Sequence, residues 1–317
     1  MENVYNLNNN EKKLINSLIY QFSVSSPCED LEIYMHQSKL LSEYLPDNLK
    51  EKIRDLKNEN LKDDILLIRN CPVDIDIKTP ENNTYFYGEH THLSKCQAII
   101  NEFIGEMVSY EAEASGRLFQ DMVPNKKLIN TQTSLGSKTE LELHTEQAFS
   151  ELRPDYLCLS CLKGDKSAKT YYLHKDQITE NLTEEEIELC RKKLWNIGVD
   201  LSFIMNGCHS DTRGPVSILQ NDELVFDQDL MDGINDKAKQ IINKIIDIYY
   251  KNRKYVVLEP GDMLLINNKK LVHGRSSFNP KFDGNDRFII RSFIMNKIEK
   301  ILNKTVNNNR MVSTKFS

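Results

Sequence analysis

No stretch of this 317-residue chain approaches the roughly 20 consecutive apolar residues that a membrane-spanning helix needs. Its start, Met1 to Asn10, is polar and Asn-rich, so a secretory signal is not expected. Basic charge is in deficit: 41 Lys and Arg against 47 Asp and Glu leave a formal charge of −6. A nucleic-acid-binding domain, which shows a basic stripe, is therefore not expected either. Cysteine is sparse and scattered, seven residues in all, an odd number that makes no disulfide framework. Reduced thiols in a cytoplasmic protein are the expectation. Glycine is scarce too, at 12 residues, and none of it forms a G-x-G-x-x-G or Walker-type loop. The nucleotide-binding folds lose their support. What is present is 39% hydrophobic and 28% charged residues, the balance of a globular chain with a sizeable core.

The first part of the chain reads helical. In Glu11–Ser23, Ile15, Leu18, Ile19 and Phe22 recur at the spacing of one helix face, and Leu31–Tyr44 and Leu49–Leu56 repeat the pattern. The run from Asp64 to Arg69, closed by Asn70-Cys71-Pro72, reads as the first strand. A loop over 73–90 and a helix over Leu93–Ser109 follow. From Arg117 the period shifts toward two. The strands expected are Arg117–Val123, Thr139–His144, Asp155–Leu162, Thr170–Leu173, Asp200–Ile204, Val216–Leu219, Tyr255–Leu258, Met263–Ile266 and Arg287–Met295. Two helices interrupt them: Thr183–Trp195, opened by a Thr183/Glu186 capping box, and Gly233–Lys251. Helices leading into a strand-rich body predict an α+β fold, best met by a jelly-roll barrel with flanking N-terminal and inserted helices. One domain over 1–317 is expected, with a mostly helical part (1–110), a jelly-roll core carrying a lid insertion (111–300) and a frayed polar tail (303–317).

Two of the seven histidines have informative neighbours. In Leu141-Glu142-Leu143-His144-Thr145-Glu146, a predicted strand ends in His-x-Glu. Residues i and i+2 of a strand share a face, so His144 and Glu146 can grip one ion. Far downstream, Pro260-Gly261-Asp262 opens an apolar strand, Leu271-Val272-His273-Gly274-Arg275 follows, and Arg287 begins another strand. Two imidazoles and one carboxylate on one face of a metal are the ligand set of non-haem Fe(II) oxygenases. Open positions opposite them admit a 2-oxo acid and O2, and an arginine can clamp the far carboxylate of that acid. Any one of these signals arises by chance, and a lone His273 is more often structural. Their ordered combination is what points to a site.

The stretches His144-Thr145-Glu146-Gln147-Ala148-Phe149, Arg153-Pro154-Asp155-Tyr156 and Leu271-Val272-His273-Gly274-Arg275-Ser276, with Asp286-Arg287, resemble the clavaminate synthase-like Fe(II)/2-oxoglutarate oxygenases. Over roughly residues 100–297 the chain is most similar to the hydroxylases of free arginine and lysine. The resemblance implies His144, Glu146 and His273 as iron ligands, with Arg287 and Thr170 on the distal carboxylate of 2-oxoglutarate. It places Arg291 on the α-carboxylate of an amino-acid substrate, and Gln120 and Ser134 on its backbone atoms. Phe226-Asp227-Gln228-Asp229 offers Asp227 and Asp229 on one side of an extended segment, a clamp for a cationic side chain; the competing reading is a pair of turn residues. The implied reaction is hydroxylation of an unactivated side-chain carbon of free L-arginine or L-lysine, with Fe(II), 2-oxoglutarate and O2 as cofactor and co-substrates. Glu146 stands where related halogenases keep a small residue, which disfavours chlorination. The family's usual acidic residue after the triplet is here Gln147, and Ile204–Gly214 falls where relatives carry a lid.

Other substrates and classes stay open: an asparagine-like or carrier-bound amino acid, a cupin-type metal protein without O2 chemistry, or a scaffold with structural histidines. Neither a nucleic-acid nor a membrane partner is expected, and the oligomeric state is open. Cys158-Leu159-Ser160-Cys161 reads as core rather than zinc site, because no second ligand pair is near. His90, His92 and the loop histidine His209 show no partner in sequence, and Trp195 reads as core at a helix end.

Overall fold

The structure is a computed structural model and describes residues 3–208 and 211–316; His209 lies outside the described residues. Its centre is a pair of facing sheets. The larger runs in the order Val4–Asn6, Ile65–Arg69, Met263–Asn267, Tyr156–Lys163, Phe288–Met295, Glu106–Tyr110 and Met311–Val312, with Gln120–Met122 also paired to Phe288–Met295. The smaller runs Lys254–Val257, Lys169–His174, Leu271–Arg275, Leu141–His144. Pairing within the smaller sheet is antiparallel throughout, as a jelly roll requires.

The larger sheet is buried on both faces, which explains why Tyr156–Lys163 reads as a continuous apolar run rather than an alternation. Leu157, Leu159 and Cys161 point between the sheets with Leu264, Ile266, Ile289 and Phe293. Tyr156, Cys158 and Leu162 point the other way, with Met263, Leu265, Ile290 and Ile294, into a helical layer. That layer holds helices Asn9–Ile19, Leu31–Ser42, Asp47–Lys57 and His92–Ile104. Each fully buried Leu or Ile of these faces contributes on the order of 1.5–3 kcal/mol.

Several expectations change on contact with the structure. The helix from Leu93 stops at Ile104, where Gly105 leaves the helical conformation and packs so closely on the next sheet strand that a Cβ would meet the Met295 carbonyl at 2.4 Å; Glu106–Tyr110 then becomes a strand. Asp200–Ile204 is not a strand: Asp200 accepts the Ser202 N–H at 2.8 Å and caps a short helix, Leu201–Met205. The helix opened by Thr183 spans only Glu184–Cys190, and Trp195 begins a strand, Trp195–Gly198. Its indole N–H donates to the Ala238 carbonyl at 3.1 Å. The tail expected to fray instead docks: Met311–Val312 pairs in parallel with the Glu106–Tyr110 strand. None of the seven cysteines is in a disulfide, and no helix among the described residues is long and apolar enough to cross a membrane.

Candidate metal centre

The smaller sheet brings the two histidines together directly. His144 ends the Leu141–His144 strand and lies opposite His273 in the ladder, so the ring centroids are 4.3 Å apart. Glu146 follows two residues later, held by Asn268. The Asn268 side-chain oxygen accepts the Glu146 N–H at 2.8 Å, and its NH2 donates to the carbonyls of Glu146 (3.1 Å) and Pro154 (2.9 Å). The Thr145 N–H donates to the Phe226 carbonyl at 2.7 Å, fixing the other side of the triplet. Ligand atoms of His144, Glu146 and His273 consequently all lie within 4.8 Å of one another. It is the metal-capable cluster of three or more such side chains found among the described residues.

The donor chemistry fits a divalent metal. His144 Nδ1 is 2.8 Å from the Glu142 carbonyl, which makes that nitrogen the N–H and leaves Nε2 with its lone pair. His273 Nε2 is 3.6 Å from Glu146 Oε2. Burial, with His144 beside it, pushes His273 down to about 4, so its ring is neutral near pH 7 and able to donate a lone pair. Burial opposes the charge on Glu146, but Arg291 and the two histidines outweigh it and hold the carboxyl at about 2. Two imidazoles and one carboxylate, with space on one side, suit Fe(II).

That space is a cavity of ≈ 50 Å³ bordered by Ser134, Thr170, Arg275, Arg287 and Arg291 as well as the three clustered side chains. Arg287 is buried, at 8% exposure, and no carboxylate pairs with it among the described residues. A buried guanidinium without a counter-charge is costly unless an anion arrives, so this end of the cavity suits a carboxylate ligand. Thr170 lies on the same side, buried and paired in register with Arg275. Arg291 is differently placed: Nη1 donates to Glu146 Oε1 at 3.1 Å, Nε to Gln120 Oε1 at 2.9 Å, and Nη2 pairs with Glu113. Gln120 is thus a buried brace for Arg291 rather than a strand-surface amide.

Glu113 was not visible as a site residue in the sequence. Burial raises its pKa while Arg291 opposes the rise, and Gln147 Nε2 donates to it at 3.0 Å. Nothing in the spacing of Glu111-Ala112-Glu113 announces this; the one usable signal was that a buried Arg291 needs a counter-charge. The two aspartates part company. Asp227 bridges to His144 along the backbone, and burial raises its carboxyl to about 6 against the pull of His144. Its Oδ1 accepts the N–H groups of Asp229 and Leu230, so the segment is a turn and not extended. Asp229 is exposed. His90 and His92 sit 3.6 Å from Glu89 and 3.8 Å from Asp74, away from the cavity lining. Cys158 and Cys161 are buried on the central strand. A larger cleft of ≈ 830 Å³ lies between residues 148–153, Arg213–Val216 and the C-terminal residues, and none of the three clustered side chains borders it.

No family model matches the chain. Individual proteins do. It is 42% identical over 289 residues to the L-lysine 3-hydroxylase of Catenulispora acidiphila, covering 89% of this chain and 81% of that one. It is 25% identical to clavaminate synthase 2 of Streptomyces clavuligerus, covering 84% and 85%. Among solved structures, an asparagine oxygenase in complex with Fe(II), 2S,3S-3-hydroxyasparagine and succinate superposes with a TM-score of 0.91 at 20% identity, over 98% of this chain and 99% of that one.

Proposed function

Since this chain belongs to the clavaminate synthase-like Fe(II)/2-oxoglutarate-dependent oxygenases, we propose that it hydroxylates free L-lysine, at C3 of the side chain. The clustering of His144, Glu146 and His273 carries the chemistry of this reading. The 42% identical relative, named as an L-lysine 3-hydroxylase, supports the substrate.

In this reading His144, Glu146 and His273 hold Fe(II). With 2-oxoglutarate and O2, iron supplies the oxidising power that places one oxygen atom in an unactivated C–H bond while the oxo acid becomes succinate and CO2. The protein's part is placement. Arg287, assisted by the Thr170 hydroxyl, pairs with the distal carboxylate of 2-oxoglutarate. Arg291, braced by Gln120, exchanges its contact with Glu113 for the α-carboxylate of lysine through a bidentate fork. Glu113, released from that pair, and Glu146 then face the α-ammonium, and Ser134 stands over the backbone atoms. Asp227, beside His144, offers its charge to the distal ammonium, while Asp229, which is exposed, is left to the rim. Leu157, Leu159 and Ile289 give the cavity its apolar wall.

The test is anaerobic reconstitution with Fe(II) and 2-oxoglutarate, then exposure to O2 with L-lysine, L-arginine or L-asparagine. Expected are succinate and a lysine product heavier by one oxygen atom, with no chlorinated product in chloride buffer. Protein that binds no Fe(II), or that releases no succinate with any amino acid, overturns the proposal; turnover of arginine or asparagine in preference to lysine overturns its substrate.

A further inference from the structure

Arg275 is the last residue of the Leu271–Arg275 strand and is buried, at 5% exposure. Its hydrogen bonds go to backbone carbonyls: Nε donates to Ser276 at 3.2 Å, Nη1 to Ser134 at 3.1 Å and Nη2 to Gly136 at 2.6 Å. No carboxylate pairs with it among the described residues, which is also the condition of Arg287. The two guanidiniums share a neighbour, since the Phe278 ring centroid is 5.1 Å from Arg275 and 5.9 Å from Arg287. Both line the cavity beside the metal centre. Two buried cations against one ring, with no acid between them, repel each other strongly in a medium of low dielectric. A carboxylate arriving there relieves both.

Ser134 and Gly136 belong to the polar segment 123–140, which connects the Gln120–Met122 strand to the Leu141–His144 strand and carries Ser134 to the cavity. A guanidinium fork that spans two of its carbonyls is a tie between loop and barrel. We propose that Arg275 is a positioning residue that makes 2-oxoglutarate binding and the docking of this loop one coupled event. The inference rests on the reading of Arg287 as the partner of the co-substrate's distal carboxylate. That charge steadies the Arg275 guanidinium where it already meets Ser134 and Gly136, and so holds the loop over the site. By reciprocity a docked loop tightens the co-substrate to the same extent.

Limited trypsin digestion reads the loop, because Lys126, Lys127 and Lys138 are exposed on it. For the wild-type chain, 2-oxoglutarate with Mn(II) should slow cleavage at these lysines by about tenfold relative to cleavage at Lys237, as expected for a local opening suppressed by ligand. Arg275→Lys keeps the charge but not the planar fork, so it should still bind 2-oxoglutarate and lose the protection. Arg275→Gln should raise the KM for 2-oxoglutarate by about tenfold, because the co-substrate loses a charge partner. Equilibrium dialysis of radiolabelled 2-oxoglutarate separates the possible failures. Co-substrate bound with no protection of the wild-type loop, or a fully protected Arg275→Lys variant, overturns the coupling and leaves the proposed function standing. No binding at all overturns both. The wild-type digest alone decides the matter if a variant does not fold.

Discussion

At Asp227 one carboxyl is proposed to serve two ends. Its Oδ1 accepts the N–H groups of Asp229 and Leu230 at 3.0 and 2.9 Å, which shapes the turn, and the residue bridges to His144, where the proposed function puts the lysine ammonium. Asp227→Asn keeps the accepting oxygen and removes the charge. The KM for L-lysine should rise by about tenfold or more, the loss of one charge-assisted contact of about 1.5–3 kcal/mol. Binding of L-norleucine, which has no distal charge, should not change; an unaltered lysine KM would place the distal contact elsewhere. Asp121 offers a second test, away from the metal centre. Burial raises its carboxyl to about 7 from 3.8, against the Gly88 and Tyr87 N–H groups that favour the charge. The folded chain therefore holds this proton more tightly than the unfolded chain does. The associated stability is complete below about pH 4 and is lost as pH rises through about 7, by at most about 4 kcal/mol. Asp121→Asn removes the titration, so its stability relative to wild type should grow between about pH 4 and 7, read by urea unfolding at several pH values. Parallel pH profiles for the two proteins would exclude this account. Residues of this kind were unequally legible in the sequence. His144 and Glu146 stood out because a strand places i and i+2 on one face, whereas Glu113 and Asn268 act through partners 178 and 122 positions away.

Among the elements, the C-terminal strand departs most from its sequence. Polar composition predicted fraying, yet Ser109 and Glu111 donate their N–H groups to the carbonyls of Arg310 and Val312 at 3.0 and 2.9 Å. Arg310 reaches Glu102, which is wholly buried, at 2.8 Å. Composition misleads here because a parallel edge strand is held by backbone bonds and one ion pair, neither of which needs an apolar run. Arg310→Met should cost about 3–5 kcal/mol, because it strands a buried carboxylate. The strand also braces the chain two residues before Glu113, so the same variant should raise the KM for lysine more than that for 2-oxoglutarate. A thermal midpoint equal to that of wild type would remove the argument. The short helix Leu201–Met205 was misread for a related reason. Five residues are too few for periodicity to separate helix from strand, and the Asp200 cap decided the outcome.

For the whole molecule, the two hydrophobic cores are opposite faces of one sheet: Leu157 and Leu159 belong to one core, Cys158 and Leu162 to the other. We propose on this ground that the helical layer and the barrel unfold together, as a single domain. Calorimetry should give one transition with equal van't Hoff and calorimetric enthalpies. Two resolved transitions would divide the chain. The jelly roll was legible because its long central strands are continuous apolar runs bounded by turn residues, while the edges of the fold depend on contacts far apart in sequence. The candidate metal centre shares that remoteness. His144 and Glu146 emerge from the ribosome long before His273, and the Leu271–Arg275 strand that carries it is laid against them only once the later part of the chain has been made. A nascent polypeptide released early therefore presents, on the proposed reading, two of the three iron donors and no closed barrel around them. Iron capture would thus mark completed synthesis, sparing the cell a half-built redox centre.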